Sequence, residues 1–410
     1  MANVITDGTH FTPDYVENGI PFLSAINVKK GYLDLDAGYK LIAPQDHKTL
    51  CKRVLPRKND VLLRKVGVGA RLACVVPNLP FEFSIFVSLA LIRGDLNPYY
   101  LSAFINSKFG QAQLLRFNKG ISQPDLHLED IARLRVPLFS ESFYNCIQNV
   151  AQNAEKFLST AKQKIDMAEN TLIRVLNLAV DNRSYISVKT FADSFIQSGR
   201  LDAEYYQPKY EQLFLQLNSY EKVSTLCNLY DENFIPDVNT EYDYIELSNV
   251  DTSGDILSTD KIIGSKLPSR ARRLVHKGQV IISSIEGSLS SCALIDADHD
   301  DALCSTGFYV IDSDKINSET LLMLFKSAPI QALLKQKCSG TILTAISKDE
   351  FLNIPLPYIN KNIQEEISNQ VQESFRLRKE AKRLLAHIIK AVEMAVEEDE
   401  YYALQWLEMQ

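Results

Sequence analysis

The chain carries one piece of architecture twice, and this constrains its fold more than any other feature. GISQPDLHLEDIARLRVPL, from Gly120, has a degraded counterpart in GTILTAISKDEFLNIPLPY, from Gly340. Aligned without a gap, Gly120 meets Gly340, Glu129 meets Asp349, Ile131 meets Phe351 and Pro137 meets Pro357. The echo continues upstream. PFLSAINVKKG (21–31) resembles DYIELSNVDTSG (243–254), and LPRKNDVLLRKVGVGARLACVV (55–76) resembles LVHKGQVIISSIEGSLSSCALI (274–295). LNPYYLSAFINSKFGQAQLLRFNKG (96–120) resembles INSETLLMLFKSAPIQALLKQKCSG (316–340). The offset stays near ~220 residues, far longer than a solenoid repeat, so the duplicated unit is a domain.

Each copy reads alike. Period-two runs such as DVLLRKV and QVIISSI predict strands. Asn97 and Asn317 are placed to cap helices, with Pro98 at a first helical position. A short strand ending in RVPL or IPLP follows the Gly120 or Gly340 loop. Then the period changes. Phe143, Ile147, Val150, Ala154, Phe157, Ala161, Ile165, Ala168, Leu172, Val175 and Ala179 recur at steps of mostly three and four. Ile363, Ile367, Val371, Ser374, Leu377, Ala381, Leu384, Ile388, Ala391 and Ala395 do likewise. Such spacing, with no Pro or Gly from Tyr144 to Asp181, predicts two heptad helices, each roughly 50 Å long at ~1.5 Å per residue. The expected fold is α/β of the α+β type, with globule and long helix alternating and a pseudo-two-fold relation between halves. Boundaries fall at 1–141, 142–182, 183–360 and 361–400.

Composition excludes several classes. Hydrophobic and charged contents of 46% and 23% are ordinary for a globular protein. Met1 is followed by ANVITDGTH, without the basic and apolar regions of a signal peptide. The longest apolar stretch, Phe83 to Ile92, is too short to span a bilayer. The 7 cysteines include no CxxC, which argues against a zinc ribbon, and Cys74 and Cys292 read as buried strand thiols. A cytoplasmic location is expected.

No catalytic constellation is legible. NPYY (97–100) resembles the Asn-Pro-Pro-Tyr box of amino-methyltransferases, but it lacks the second Pro, and the other copy reads NSET. GVG at 67–69 is a lone GxG within a strand-rich segment. Walker A, HExxH and GxSxG patterns are absent, and the scattered histidines offer no pair at metal-ligand spacing. His10 in DGTH reads as structural. No catalytic or metal-ligating residue is assigned.

Charge is more informative. Lys52, Arg53, Arg57, Lys58, Arg64, Lys65 and Arg71 crowd between positions 51 and 71 against one acid, Asp60. Lys266, Arg270, Arg272, Arg273 and Lys277 crowd between 266 and 277 with no acid. The net charge of -7 argues against binding by overall charge. Two basic clusters at corresponding places instead suggest a polyanion held at two points.

These features together resemble the specificity (S) subunits of type I restriction–modification systems. DGTHFTP (7–13), GIPFLSAINVKKG (19–31), DVLLRKVGVGARLACV (60–75), RLDAEYYQPKY (200–210) and the two Gly120/Gly340 stretches carry the likeness across essentially the whole chain. The resemblance implies two target-recognition domains, each reading half of a split site in double-stranded DNA. Two antiparallel coiled-coil helices would hold the domains apart and dock two methyltransferase subunits. It implies a non-enzymatic chain without a cofactor of its own. S-adenosylmethionine would be bound by the partners, as would ATP and Mg where a restriction subunit is present. Recognition in the family comes from loops, which makes Arg64, Lys65, Arg71, Lys119, Ser122 and Gln123 candidate contacts in the first copy. Ser283, Ser284, Ser288, Ser290, Lys337 and Thr341 are their counterparts in the second. Gln123 and Arg71 are the sharpest candidates, since Gln can pair bidentately with adenine and Arg with guanine.

One departure stands out. RLDAEYYQPKYEQLF opens the second copy, but its equivalent in the first would lie before Met1. Either the start is internal, or the first domain tolerates the loss, C-terminal residues filling the place being one way to do so. The alternative reading is the recognition portion of a split or fused methyltransferase–nuclease whose catalytic part lies upstream. A coiled-coil scaffold without DNA binding would leave both basic clusters unexplained.

Overall fold

The computed structural model describes residues 2–67, 69–117, 124–178, 180, 186–217, 219–257, 259–340 and 344–409. Two units divide the chain: Met1–Ala161 with Arg376–Gln410, and Lys162–Phe375.

The first unit begins with β1 (Ala2–Asp7), β2 (Tyr15–Leu23), β3 (Lys40–Ile42) and α1 (Pro44–Leu50). β4 (Val61–Arg64), β5 (Ala73–Val75), β6 (Ser84–Ile85) and β7 (Leu89–Gly94) follow. Then come α2 (Pro98–Asn106), α3 (Lys108–Arg116), α4 (Leu128–Ala132) and the long α5 (Glu141–Leu176), which runs on into the second unit. The strands form an antiparallel sheet β1-β7-β4-β5 and a smaller sheet β3-β2-β6, whose β2–β6 pair is parallel.

The second unit repeats this plan. α6 (Pro208–Gln216), β8 (Tyr220–Lys222) and α7 (Val223–Leu226) lead into β9 (Asn228–Tyr230), β10 (Glu241–Ile245), β11 (Asp260–Ile263) and β12 (Ala271–Leu274). β13 (Val280–Ser283), β14 (Cys292–Leu294), β15 (Leu303–Ser305) and β16 (Phe308–Asp312) precede α8 (Ser318–Lys326) and α9 (Ala328–Lys337). β17 (Cys338–Ser339), β18 (Ala345–Ile346), α10 (Lys348–Leu352), β19 (Pro355–Pro357) and α11 (Lys361–Glu397) complete the order, and α12 (Glu400–Glu408) closes the chain. The sheet β9-β16-β13-β14 has the order of β1-β7-β4-β5, and β11-β10-β15 has that of β3-β2-β6, including the parallel pair. The copies part where α1 stands in the first unit and β12 in the second, joined to β15.

The duplicated strands are buried on both faces because alternate residues feed two cores. Val61, Leu63, Ala73, Val75, Ala90 and Ile92 face the helices, while Leu62, Cys74, Leu89 and Leu91 face the smaller sheet. Val280, Ile282, Cys292 and Ile311 repeat the first set, and Ile281, Ala293 and Val310 the second. Burial pushes the Cys292 thiol up to about 12, so it stays protonated. Asn97 caps α2, its side chain accepting the N–H groups of Tyr99 and Tyr100 at 3.0 and 3.2 Å. Asn317 accepts from Thr320 at 2.9 Å and caps α8.

The 36-residue α5 and 37-residue α11 follow the heptad expectation. Ile147, Ala151, Ala154, Ala161, Ala168 and Leu172 are buried, so the seam passes through Ala151 rather than the expected Val150. Val175 is exposed, and Ala179 lies outside the described residues. On α11 the seam uses Leu385 rather than Leu384. The pair runs antiparallel in each unit. In the first, Glu400 beyond α11 accepts from Ser140 at the start of α5, at 3.1 Å. In the second, Thr171 near the end of α5 donates to Glu366 near the start of α11, at 2.9 Å.

One sequence expectation is corrected: Arg135–Pro137 forms no strand, although the corresponding β19 does. α6 packs on α9, whereas α12 packs by α11, with Trp406 edge-on to His387 at 5.2 Å between ring centroids. Among the described residues no helix is long and apolar enough to cross a membrane.

Candidate nucleic-acid interface

In each unit the end of a central strand meets the loop that follows the paired helices. Beyond β4, Leu126 N–H donates to Lys65 O at 3.0 Å, and Gly67 N–H donates to Pro124 O at 3.1 Å. Beyond β13, Ile346 N–H donates to Ser284 O at 2.8 Å, and Glu286 N–H donates to Thr344 O at 2.9 Å. The backbone thus builds the same loop junction twice. Lys119, Ser122, Gln123 and Thr341 belong to these loops but lie outside the described residues.

The first junction is organised by Asp7, at the end of β1. Its buried carboxylate accepts from the buried Lys65 Nζ at 2.9 Å, from Arg53 and from His10 Nε2 at 3.1 Å. Arg53 Nε also donates to the Asp7 carbonyl at 3.1 Å. Burial alone would raise the Asp7 carboxyl, but its bonds and charge attraction to Lys65 and Arg53 hold it below the ordinary range. Gly8 is required by contact. A Cβ there would stand 2.1 Å from the Ile85 carbonyl oxygen, against which the DGTH turn closes.

Several candidate contacts are therefore structural. Lys65, at 4% exposure, and Arg71, at 1%, are buried as they stand. Arg71 donates to Pro124 O at 3.0 Å, and Gln111 brackets its backbone, accepting from its N–H at 2.8 Å. Burial lowers the Arg71 guanidinium, and the charge of Asp125 partly opposes this. Such a residue clips two loops together, and neither cation can reach a ligand in this conformation. The Arg64 guanidinium is half-buried and lowered by desolvation, and its Nε has no hydrogen-bond partner among the described residues.

Lys52, Arg57 and Lys58 remain exposed on the connection from α1 to β4. Asp60 pins this connection by accepting from Arg57 N–H at 2.7 Å and pairing with Arg93 at 2.6 Å. Lys58 lies on the α5 side, where its charge acts on Glu155. Thr9, His10, Phe11, Thr49 and Arg53 line a cleft of about 280 Å³. Phe11, 71% exposed, is a contact candidate that charge counting missed. Its only signal in the sequence is an aromatic following the DGTH turn.

The second unit spends its cluster differently. Arg273 donates to the Asp231 carbonyl and to Asn233 Oδ1 at 2.9 Å, and Arg272 donates to Ser269 O at 3.1 Å. Arg270 and Lys277 are exposed, though Lys277 is followed in space by Asp300, which accepts its backbone N–H at 3.0 Å. Asp300, Asp301 and His276 form an exposed cluster that sequence spacing could not reveal. The serines are tied to their own loop. Ser283 is buried against Ser288 at 2.9 Å, and Ser284 donates to Gly307 O at 2.9 Å. Ser290 is exposed, and Lys337 pairs with Glu350 at 3.1 Å over the Tyr205 ring.

No family model matches the chain, and no curated protein does. Solved structures do. The HsdS subunit from Thermoanaerobacter tengcongensis is 28% identical over 43% of this chain and 48% of its own, about half its length, with a TM-score of 0.33. The type I restriction–modification S subunit from M. genitalium is 12% identical over 99% of this chain and 93% of its own, at a TM-score of 0.41. A structure concerned with complex assembly and conformational transition of the type I R-M system is 14% identical over 93% and 92%, at 0.29.

Proposed function

We propose that this chain is the DNA sequence-recognition subunit of a type I restriction–modification complex. The observation that carries the reading is the duplicated loop junction, present in two units of matching topology, each with exposed cations on a neighbouring connection. A split duplex site read half by half needs such a pair, with the cations neutralising phosphates and the loops reaching base edges. Residues 1–141 and 183–360 are the recognition parts, and 142–182 and 361–400 form the spacer. Lys52, Arg57, Lys58, Arg270 and Lys277 meet phosphates and Ser290 reads a base edge, while Lys119, Ser122, Gln123 and Thr341, outside the described residues, are kept as base-contact candidates from the sequence. Two methyltransferase subunits dock on the helices and bind S-adenosylmethionine. Where a restriction subunit joins them, it brings ATP and Mg. The chain itself performs no chemistry and acts in the cytoplasm.

Methylome sequencing of a strain expressing the chain with its methyltransferase partner tests this. A bipartite motif is expected, lost when this chain is deleted. A continuous motif, or methylation by the purified chain alone, overturns the reading. Matched seven-residue insertions into α5 and α11 keep the heptad seam in phase and add ~10.5 Å. The unread spacer should grow by about 3 base pairs at ~3.4 Å each, with both half-sites unchanged. A functional variant restricted to the original spacing would show that the helices do not set it.

A further inference from the structure

Asp7 ends β1 and Asp231 follows β9, and the register that sets Ile5 opposite Ile92 sets Leu229 opposite Ile311, so the two aspartates correspond. Four residues beyond each stands a large apolar side chain in solvent: Phe11, 71% exposed, and Ile235, 81% exposed. A single exposed hydrophobe needs no explanation. Its recurrence at one place in two copies does, because the residues between have diverged. DGTHF in the first unit is DENFI in the second, and only the aspartate and the apolar tip keep their character.

Both tips are held by their neighbours. In the first unit the Thr9 hydroxyl accepts the Phe11 N–H and donates to the Phe11 carbonyl, at 3.0 Å each. Thr9 is itself anchored, its N–H donating to Ile85 O at 3.1 Å and its carbonyl accepting from Val87 N–H at 3.0 Å. In the second unit Phe234 N–H donates to Arg272 O at 2.8 Å, and the Phe234 ring packs edge-on to Tyr242, 6.0 Å between centroids. On the other side of Ile235, Asp237 N–H donates to the Tyr242 hydroxyl at 3.1 Å. Cations stand beside each tip. Phe11 shares its cleft with Arg53, just beyond α1, where Lys48 and Lys52 are exposed as well. Arg272, which holds Phe234, lies two residues from the exposed Arg270.

We infer that Phe11 and Ile235 are wedges, each entering the base stack of one half-site and partly unstacking one step. The inference rests on the proposed function and names what these two turns do within it. A hydrocarbon tip among cations matches a partner that is anionic at its edge and apolar within, as stacked base pairs between phosphates are. The cations position the duplex and the fixed turns present the wedges already ordered, which lowers the entropy lost on binding. An apolar wedge adds affinity without releasing counterions, so its contribution is independent of salt. It also makes the ease of deforming that step part of what each unit reads.

The test titrates the assembled complex, at several salt concentrations, with a duplex carrying the motif that it methylates. 2-Aminopurine, which brightens when unstacked, is placed in turn along each half-site outside the methylated base. One step in each half-site should brighten. Phe11→Ala should silence one and Ile235→Ala the other. Each variant should weaken binding roughly tenfold at every salt concentration, leaving the salt slope unchanged. Both side chains are exposed, and circular dichroism checks that the variants are folded. Affinity and fluorescence indifferent to both variants overturn the inference and leave the proposed function standing, whereas a wild-type complex that binds no DNA overturns both. A changed salt slope would make the tips part of a phosphate contact and overturn the inference. So would unchanged DNA affinity with weaker retention of the methyltransferase subunits, which would make the tips a protein-docking feature.

Discussion

Asp7 and Asp231 occupy one position in two copies of a fold and hold their loops by different physics. Strand register sets the equivalence, with Ile5 opposite Ile92 and Leu229 opposite Ile311. At both places an arginine, Arg53 or Arg273, donates to the backbone carbonyl of the aspartate. The carboxylates diverge. Asp7 is buried and takes Lys65, whereas the Asp231 side chain is 34% exposed and pairs with Lys348. Where the first unit has Lys65, the second has Ser284, which makes a neutral bond to Gly307. Contacts to the backbone survive because the backbone is shared. Contacts between side chains drift, because any partner that satisfies the buried group will serve.

The sharpest way to break this comparison is to remove each carboxylate. Asp7→Asn leaves the buried Lys65 ammonium only the longer pair with Asp125, at 3.8 Å, and should cost ~3 kcal/mol. Asp231→Asn removes a solvent-screened pair and should cost below ~1 kcal/mol. Urea unfolding of the two variants measures the gap, and equal losses would show that burial does not separate the sites.

A smaller effect is expected on DNA, given the proposed function. Lys52→Ala with Arg57→Ala should reduce the salt slope by ~1.8, about 0.9 per phosphate, or roughly tenfold in affinity change between 50 and 200 mM salt. Arg270→Ala with Lys277→Ala should do less, because Asp300 and Asp301 lie close to Lys277. Filter binding of the assembled complex at several salt concentrations reads both slopes. Identical slopes would mean that the two clusters are used alike.

The smallest effect is a pH dependence confined to the second unit. His299 is raised above its ordinary 6.5 chiefly by its hydrogen bond to Asp296, 2.6 Å away, with Asp243 and Asp255 adding attraction. A raised cation contributes stability that is fully present below 6.5 and lost as pH rises through the folded value. The wild type should lose stability relative to His299→Asn between pH 6 and pH 8.5. A constant difference across that range would remove the ion pair from the account.

Much of the fold was legible because its signals are local or repeated. The Asn97 and Asn317 caps, the alternating strands and the heptad helices depend on neighbours within a turn or two. The candidate interface was less legible. Lys65 and Arg53 read as phosphate contacts because a charge count sees no partner, yet Asp7 lies 58 and 46 residues away from them. Arg71 was drawn inward by Pro124, 53 residues on. The extra strand β12 was invisible too, since its pairing depends on β15 and not on ARRL itself.

By itself, the sequence determined that one domain plan is used twice, that a long heptad helix follows each copy, and that cations crowd at corresponding places. Periodicity and repetition are properties of a linear string, so they can be read without coordinates. Only the tertiary structure decided which cations remain at the surface and which carboxylate is buried. Those outcomes depend on desolvation and on partners distant in the chain, and a side chain acquires either only when the sheets and helices have packed.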